Sequence, residues 1–467
     1  MKVVMKFGGT SLGSASRIRN AAQIVKMWSR ENKVVFVVSA LGTVTDELLE
    51  LGEEARRGNL GNLRLLVNKI RRFHLETARR TVQNTGRLRD LNETMGRMLA
   101  DLRKTAESIA QLRELTPRSQ DYLLSFGERL SVAIVAATIN DAGSKARAFT
   151  GGEAGVITDD NFGEARPLAE VSYHQVRERL EPVLARREIP VVTGFIATTT
   201  DGSIATLGRG GSDYTASLLG AAIGADEIWI WTDVDGLMTA DPRIVKSARV
   251  LPRVSFGEAR ELSYFGAKMM HPRALLPASQ SKIPVRIRNA LRPSREGTLV
   301  TIDEKNDEDK VVRAVSIIRT VGIVTVEGSG MMGTPGVAAK VFQVLGNQRV
   351  NVIMISQGSS EATISCVVAR KDVERAVRAL QLALMGQGQV ENVHDEKDVW
   401  VVAVVGAGMR GTPGVAARVF RAVARENANV RMIAQGSSEY NISFVVSESD
   451  GPKAVRAIHE EFELGER

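Results

Sequence analysis

With 467 residues, 43% of them hydrophobic and 25% charged, the chain is long enough for roughly two to four domains and has an ordinary globular composition. It contains no run of about 20 apolar residues that would read as a membrane span, and the opening Lys2-Val3-Val4-Met5-Lys6-Phe7 is too short and too charged for a signal peptide. Cys366 is the only cysteine, which excludes an internal disulfide and fits a reducing, cytoplasmic setting. Its neighbours Ile364-Ser365 and Val367-Val368 read as a strand, so a packed thiol is expected rather than a nucleophile. The net charge of +8 invites a nucleic-acid reading. The basic residues, however, are densest over 56–104, interleaved with Leu, Ile and Met at helical spacing and without an aromatic stripe. That pattern predicts a solvated helical face, and neither a nucleic-acid nor a membrane partner is expected.

Lys2 to Phe7 reads as a buried strand, followed by the turn Gly8-Gly9-Thr10-Ser11 and a helix from about Ser14 to Arg30. Strand, glycine turn and helix make an α/β opening with phosphate-binding potential. It is not a P-loop, because the lysine precedes the glycines. Lys33 to Val38 is a second strand, and Ser39, Thr43 and Thr45 follow at its carboxyl end, the edge where open α/β sheets bind ligands. Residues 46–113 read as an antiparallel helical hairpin broken at Asn84-Thr85-Gly86. Pro117 to Asn140 is a further helix carrying Glu128, which could be a surface acid paired with Arg129 or Arg118.

Strands recur at 145–149, 155–158, 189–193 and 203–206, the last running into Gly208-Arg209-Gly210-Gly211-Ser212-Asp213 and a helix from Tyr214 to Ile223. These glycines allow a tight turn and close ligand approach. A helix N-terminus favours an anion, and Arg209 offers a two-pronged donor for carboxylate or phosphate. The same residues would also serve as an ordinary capped loop. Glu227 to Trp231 is a buried-type strand ending in Thr232-Asp233-Val234-Asp235, whose acids could hold a ribose hydroxyl or make an Asx turn. Lys268 lies in the first turn of a helical pattern, against the dipole preference, which suggests an anion for it to meet. His271, before Pro272, reads as a capping or packing residue. The strand 285–289 closes this block near Ile302, and the charged run 303–310 reads as a linker.

The C-terminal third is an internal repeat. Gly330-Met331-Met332-Gly333-Thr334-Pro335-Gly336 returns as Gly408-Met409-Arg410-Gly411-Thr412-Pro413-Gly414, and Gln357-Gly358-Ser359-Ser360-Glu361 as Gln435-Gly436-Ser437-Ser438-Glu439. The offset is 78 in both blocks (408 minus 330, 435 minus 357). Each copy reads strand, glycine turn, helix, strand, strand, helix. Both contain G-x-G-x-x-G, but neither has the acid about 20 residues on that a dinucleotide site needs, so both matches are rejected. The second copy lacks a final strand, so 311–318 is predicted to complete its sheet. The repeat units are then 320–395 and 311–318 plus 396–467.

Together, Lys6-Phe7-Gly8-Gly9-Thr10-Ser11, Val38-Ser39-Ala40, Phe126-Gly127-Glu128-Arg129-Leu130-Ser131, Thr206 through Asp213, and Thr232-Asp233 through Asp241-Pro242-Arg243 resemble the aspartate kinase family, and the repeat resembles its paired ACT regulatory domains. The resemblance spans essentially the whole chain. It implies an α/β amino-acid-kinase fold over 1–302, with a central mostly parallel sheet between helices, followed by two α+β (βαββαβ) ACT domains. It implies ATP with Mg²⁺ as phosphoryl donor and the β-carboxylate of L-aspartate as acceptor, with no homoserine dehydrogenase portion. Lys6, Gly8, Gly9, Thr232, Asp233, Met238, Arg243 and Lys268 would lie on the nucleotide. Met238 departs from a tyrosine frequent in relatives. Ser39, Thr45, Glu128, Arg209, Gly210, Gly211 and Ser212 would hold aspartate, and Asp213 would orient the lysines, making Lys6, Asp213 and Lys268 the catalytic set. Met332, Gly333, Gln357 and Ser359, with Arg410, Gly411 and Gln435, would contact an amino-acid effector, threonine or lysine by the family pattern. A homodimer or homotetramer through the ACT domains is expected.

The implied chemistry fits the composition. A carboxylate nucleophile, with an ordinary pKa of about 4, is ionised at pH 7 and needs no general base. The lack of a convincing catalytic constellation among five histidines and one cysteine is therefore expected. What remains is positioning and charge stabilisation, with Mg²⁺ riding on ATP rather than in a protein cage. Rival readings are a kinase of another carboxylate, carbamate or nucleotide, an amino-acid-sensing scaffold with an inactive kinase half, and a nucleic-acid binder.

Overall fold

The computed structural model describes residues 1–265, 270–302, 310–386 and 388–465. The chain divides into two compact units. Met1–Leu237, Pro252–Phe256 and Lys268–Asp303 form the first, and Met238–Leu251, Gly257–Ala267 and Glu304–Arg467 the second.

In chain order the elements before the linker are β1 (Lys2–Phe7), α1 (Ala15–Trp28), β2 (Lys33–Val38), α2 (Val44–Arg56), α3 (Leu60–Thr81), α4 (Thr85–Leu112), α5 (Pro117–Asp141), β3 (Ala146–Phe149), β4 (Ile157–Thr158), α6 (Ala169–Ala185), β5 (Ile189–Thr193), β6 (Ile196–Thr199), β7 (Ile204–Thr206), α7 (Gly211–Ile223), β8 (Glu227–Thr232), β9 (Arg253–Ser255), α8 (Phe256–Phe265), α9 (Leu276–Gln280), β10 (Val285–Asn289) and β11 (Thr298–Thr301). The first unit is built on an eight-stranded sheet of order β3-β5-β2-β1-β8-β10-β11-β9, parallel except where β11 meets β10. β1 lies at its centre. Val3, Val4, Met5 and Phe7 are fully buried, the continuous apolar run that a strand covered on both faces requires. Phe7 stacks on Phe36 and Trp231, 4.8 and 5.5 Å between ring centroids, which locks the β2-β1-β8 triplet whose carboxyl ends carry the glycine turns.

Two sequence expectations need correction here. Residues 46–113 are not a two-helix hairpin. The run begins at Val44 and breaks at Gly58, which takes φ +73°, while Asn59 caps α3 through Asn62 N–H, so three helices form. Thr45 consequently sits in the first turn of α2, not in a loop. The segment after β5 adds a strand, β6, that pairs with β4 and β7 in a separate three-stranded sheet beneath the arginine turn. Helix α5 is long and apolar enough by composition to cross a membrane, but most of that apolar window is buried in the core of the first unit.

The repeat supplies β12 (Ala314–Glu327), α10 (Val337–Asn347), β13 (Val352–Gln357), β14 (Thr363–Ala369), α11 (Val373–Leu384), β15 (Asn392–Val405), α12 (Val415–Arg425), β16 (Val430–Ala434), β17 (Asn441–Ser447) and α13 (Gly451–Glu461). They form one antiparallel sheet, β13-β14-β12-β15-β17-β16, with a separate apolar core for each copy. Residues 314–318 are not a separate strand. They open the 14-residue β12, pairing Ala314–Ile318 with Val405–Val401 of β15, before register shifts near Val321 pass the strand to the first copy. The rejected glycine motifs have a physical role. A Cβ on Gly328 would lie 2.2 Å from the Gln389 carbonyl oxygen, and one on Gly406 2.3 Å from that of Val311, so each turn is crossed closely by another backbone. Cys366 is buried in β14, and burial pushes its thiol up to about 12, as expected of an inert packed cysteine. The linker residues 303–309 and Lys268 lie outside the described residues.

Candidate active site

The carboxyl ends of β1, β2 and β8 and the turn after β7 converge. Lys6, 8% exposed near the end of β1, forms an ion pair with Asp213 in the first turn of α7. This brings the lysine strand and the arginine turn into one place. A Cβ on Gly8 would lie 3.6 Å from the Lys6 ammonium, an ordinary contact distance, so the cation lies directly against the glycine turn. Gly9 passes so close to the neighbouring loop that a Cβ would meet the Ala40 carbonyl oxygen at 3.0 Å, and Gly42 N–H donates to Gly9 O at 3.1 Å.

The turn Gly208–Gly211 is shaped from below. Gly208 and Gly210 both take φ +72°. A Cβ on Gly210 would strike His271 Cβ at 2.3 Å, and one on Gly194 would strike Ser212. Phe195 itself adopts φ +65°, a costly conformation for an aromatic residue, and accepts Leu207 N–H at 2.8 Å. Helix α7 opens at Gly210 without a side-chain cap. The alternative of an ordinary side-chain-capped loop is therefore not realised, and Asp213 is spent on Lys6. Arg209 is exposed at the apex.

Glu128 is 3% exposed on α5 and accepts Ala40 N–H at 3.1 Å. It is not the surface acid paired with Arg129, because Arg129 lies over the Phe126 ring at 4.7 Å. Its Oε2 is buried without a hydrogen-bond partner among the described residues, and burial pushes the carboxyl up to about 8 against the pull of the Ala40 amide. Ser39 lies at the end of β2, half-buried.

Of the two acids after β8, Asp235 is already occupied. It accepts from Asn289 at 2.6 Å, Arg292 at 2.8 Å and Arg295 at 2.7 Å. Asp233 is exposed beside Thr232 and is the one left for a hydroxyl. Met238 and Arg243 belong to the second unit, where Arg243 forks onto Asp241 and Arg319 joins the same carboxylate at 2.7 Å. His271 caps the turn before Arg273, and burial with the nearby Arg273 and Arg209 charges lowers its pKa. Sequence reasoning missed Phe195, Asp121 and Arg288. Arg288 is buried among Trp28, Trp229 and Trp231, with its guanidinium carbon 4.8–5.4 Å from their ring centroids.

In the second unit, Gly333 N–H donates to Glu361 at 3.0 Å and Gly411 N–H to Glu439 at 2.7 Å, both acids taking positive φ. A cavity of about 370 Å³ opens at the first turn, lined by residues including Met331, Gly333, Thr334, Gln357, Glu361 and Ile364. Met332, Ser359, Arg410 and Gln435 are exposed on their turns.

A doubly covered parallel sheet with a lysine, a glycine pair and an arginine turn at its carboxyl edge, joined to a tandem ACT pair, defines a regulated small-molecule kinase. The amino acid kinase family matches residues 1–289, and the ACT domain matches 324–384 and 402–462. The chain is 33% identical to aspartokinase 1 of Arabidopsis thaliana over 98% of its own length and 80% of that protein's. It is 35% identical to the bifunctional aspartokinase/homoserine dehydrogenase 1 of Zea mays, spanning half of that relative. Escherichia coli aspartokinase III solved with lysine and aspartate is similar at a TM-score of 0.83 and 30% identity, covering 98% of this chain and 99% of that one. The same enzyme solved with aspartate and ADP is similar at 0.81 and 29%, covering 99% and 100%. This chain belongs to the aspartokinase branch of the amino acid kinase family.

Proposed function

We propose that the chain transfers the γ-phosphoryl group of MgATP to the β-carboxylate of L-aspartate, giving 4-phospho-L-aspartate and ADP, the entry step to lysine, threonine and methionine. The observation that carries this reading is the Lys6–Asp213 pair set between the Gly8-Gly9 turn and the arginine turn. The E. coli relative solved with aspartate and ADP supports the substrate pair.

In this reading Lys6 spreads positive charge over the phosphoryl oxygens in flight, with Lys268 as the second cation. Gly8 and Gly9 let the nucleotide approach, and Thr232 and Asp233 receive its ribose end. Arg209 clamps one substrate carboxylate with the N-terminus of α7, Gly210 to Ser212, while Glu128 takes the α-ammonium. The acceptor carboxylate attacks the γ-phosphorus, the β–γ bridging bond breaks, and charge leaves on ADP. No proton moves. Magnesium would arrive as part of MgATP, held chiefly by the phosphates and water.

An ADP-release assay with aspartate is the test. Aspartate-dependent turnover that succinate does not support is expected, because succinate lacks the ammonium Glu128 would bind. Turnover with another carboxylate, a carbamate or a nucleotide in place of aspartate would overturn the reading. Arg209→Ala is expected to raise the aspartate KM about tenfold or more while leaving the ATP KM within about twofold, since only the substrate clamp is lost. Unchanged aspartate kinetics would remove Arg209 from the site.

The cavity at Gly333, with Gln357 and Glu361 on its wall, supports regulation by an amino acid at the ACT pair, as does the relative solved with lysine. Added lysine or threonine is expected to raise Tm and lower turnover. A chain that answers neither would use the pair for assembly into a dimer or tetramer alone.

A further inference from the structure

Asp121 lies two turns before Glu128 on α5, seven residues away, so the two carboxylates share one face of the helix roughly 10 Å apart along its axis. It is 1% exposed. Its carboxylate accepts three hydrogen bonds from segments far away in sequence: Thr206 N–H at 2.8 Å and Thr206 Oγ1–H at 2.7 Å, and Gly163 N–H at 2.9 Å. Burial raises its carboxyl while these three donors pull it down. Thr206 is the last residue of β7, two positions before Gly208, and its carbonyl accepts Ala165 N–H at 2.9 Å. Gly163 meets the turn directly, since a Cβ on Gly208 would lie 3.2 Å from the Gly163 carbonyl oxygen. Both walls of the arginine turn therefore hang from one buried carboxylate, and that carboxylate stands on the helix that holds Glu128.

Resting on the aspartate-kinase reading above, we propose that Asp121 is a positioning residue that fixes the distance between Arg209 and Glu128, and so selects a substrate of aspartate's length over one a methylene longer. Glu128 is anchored at the β2 end through Ala40, and Arg209 at the β7 end through Thr206. Helix α5 is the rigid bar between them. Both backbone N–H groups, of Gly163 and Thr206, donate to Oδ2, and the Thr206 hydroxyl donates to Oδ1, so all three bonds are charge-assisted and roughly twice as strong as neutral ones. An amide there could keep its oxygen on the two N–H groups and turn its NH₂ to the Thr206 oxygen, but it would lose the charge that strengthens all three. Loops that carry binding residues are precise only when a rigid element holds them, and a displacement of about 1 Å can cost on the order of 10²-fold in rate.

The experiment measures ADP release with aspartate and with glutamate in wild type, Asp121→Asn, Thr206→Val and Thr206→Ser. Wild type must first show aspartate-dependent turnover; its absence would fail the underlying reading, not this one. Given that turnover, Asp121→Asn is expected to raise the aspartate KM about tenfold, keep the ATP KM within about twofold, and narrow the aspartate-over-glutamate preference in kcat/KM by about tenfold. Thr206→Val, which removes one donor of three and leaves the carboxylate, is expected to move both readouts part of the way, and Thr206→Ser to restore them. If Asp121→Asn does not fold, the Thr206 pair decides alone. Unchanged aspartate KM and unchanged preference in a folded Thr206→Val would overturn the assignment. So would equal rises in the aspartate and ATP KM values, which mark general damage.

Discussion

Lys6→Ala is expected to lower kcat by about 10²–10³ while shifting the aspartate KM by no more than about threefold, measured by steady-state ADP release. The size follows from what the side chain can do. It is a cation on the central strand, nearly buried and set against the Gly8 turn, where the proposed triphosphate would lie. In such a site a fixed charge acts on developing negative charge without first reorganising water, and deleting one such donor costs about that factor. The selectivity for kcat follows from its place: Arg209 and Glu128, not Lys6, carry the proposed substrate contacts. The change also strips Asp213 of its ion-pair partner. Breaking a fully buried pair costs about 3–5 kcal/mol, and this pair, still about a tenth exposed on each side, should lose less. A lowered Tm with a folded, ATP-binding protein is therefore part of the expected result. Lys6→Arg keeps the charge and should retain stability better than activity, because a planar fork cannot sit where a compact ammonium sits. A Lys6→Ala protein with normal kcat and a raised aspartate KM would move the lysine from phosphate to substrate.

The parts legible in the sequence were those written in short spans. Strand, glycine pair and helix at residues 2–28 share one continuous stretch, and the register of the repeat follows from its constant offset. Those local signals also located Lys6 and Arg209. The break at Gly58 was equally local: Arg57-Gly58-Asn59 carries both a left-handed stop and an N-cap, but the apolar spacing on either side looked unbroken. Other features depend on contacts that no local pattern records. Asp121 reaches partners 42 and 85 residues away. Beside an arginine in sequence, Glu128 looked like half of a surface pair, yet its partner is a backbone amide 88 residues off, and the arginine lies on a ring instead. Asp235, open in the sequence to a ribose hydroxyl or an Asx turn, is filled instead by Asn289 at the end of β10 and by Arg292 and Arg295 in the loop after it. Phe195 could be foreseen only as a residue after glycine, since nothing in its identity announces a positive φ.

Glu128 gives the second large effect, and it is read in pH. In the free protein its carboxyl is pushed up to about 8 by burial, so at neutral pH it is mostly protonated and uncharged. The α-ammonium of aspartate is charged throughout that range and pairs with the carboxylate only. Productive binding near pH 7 must therefore expel a proton. Because kcat/KM reports the free enzyme, its value for aspartate is expected to climb about tenfold per pH unit below about 8 and level off above it. Titration calorimetry in buffers of different ionisation enthalpy at pH 7 should detect close to one proton released per aspartate bound. Glu128→Gln cannot ionise, so it should lose both the slope and the proton, along with about 10²-fold in kcat/KM at pH 8.5. Stability moves the opposite way. The folded pKa lies above the ordinary 4.5, so this group favours the fold most below pH 4.5, and that contribution is lost as pH rises through about 8. The Tm of Glu128→Gln should accordingly gain on wild type between pH 5 and pH 9. A flat kcat/KM profile from pH 6 to 9 in wild type, with no proton release, would mean that the buried carboxyl is not where the ammonium binds.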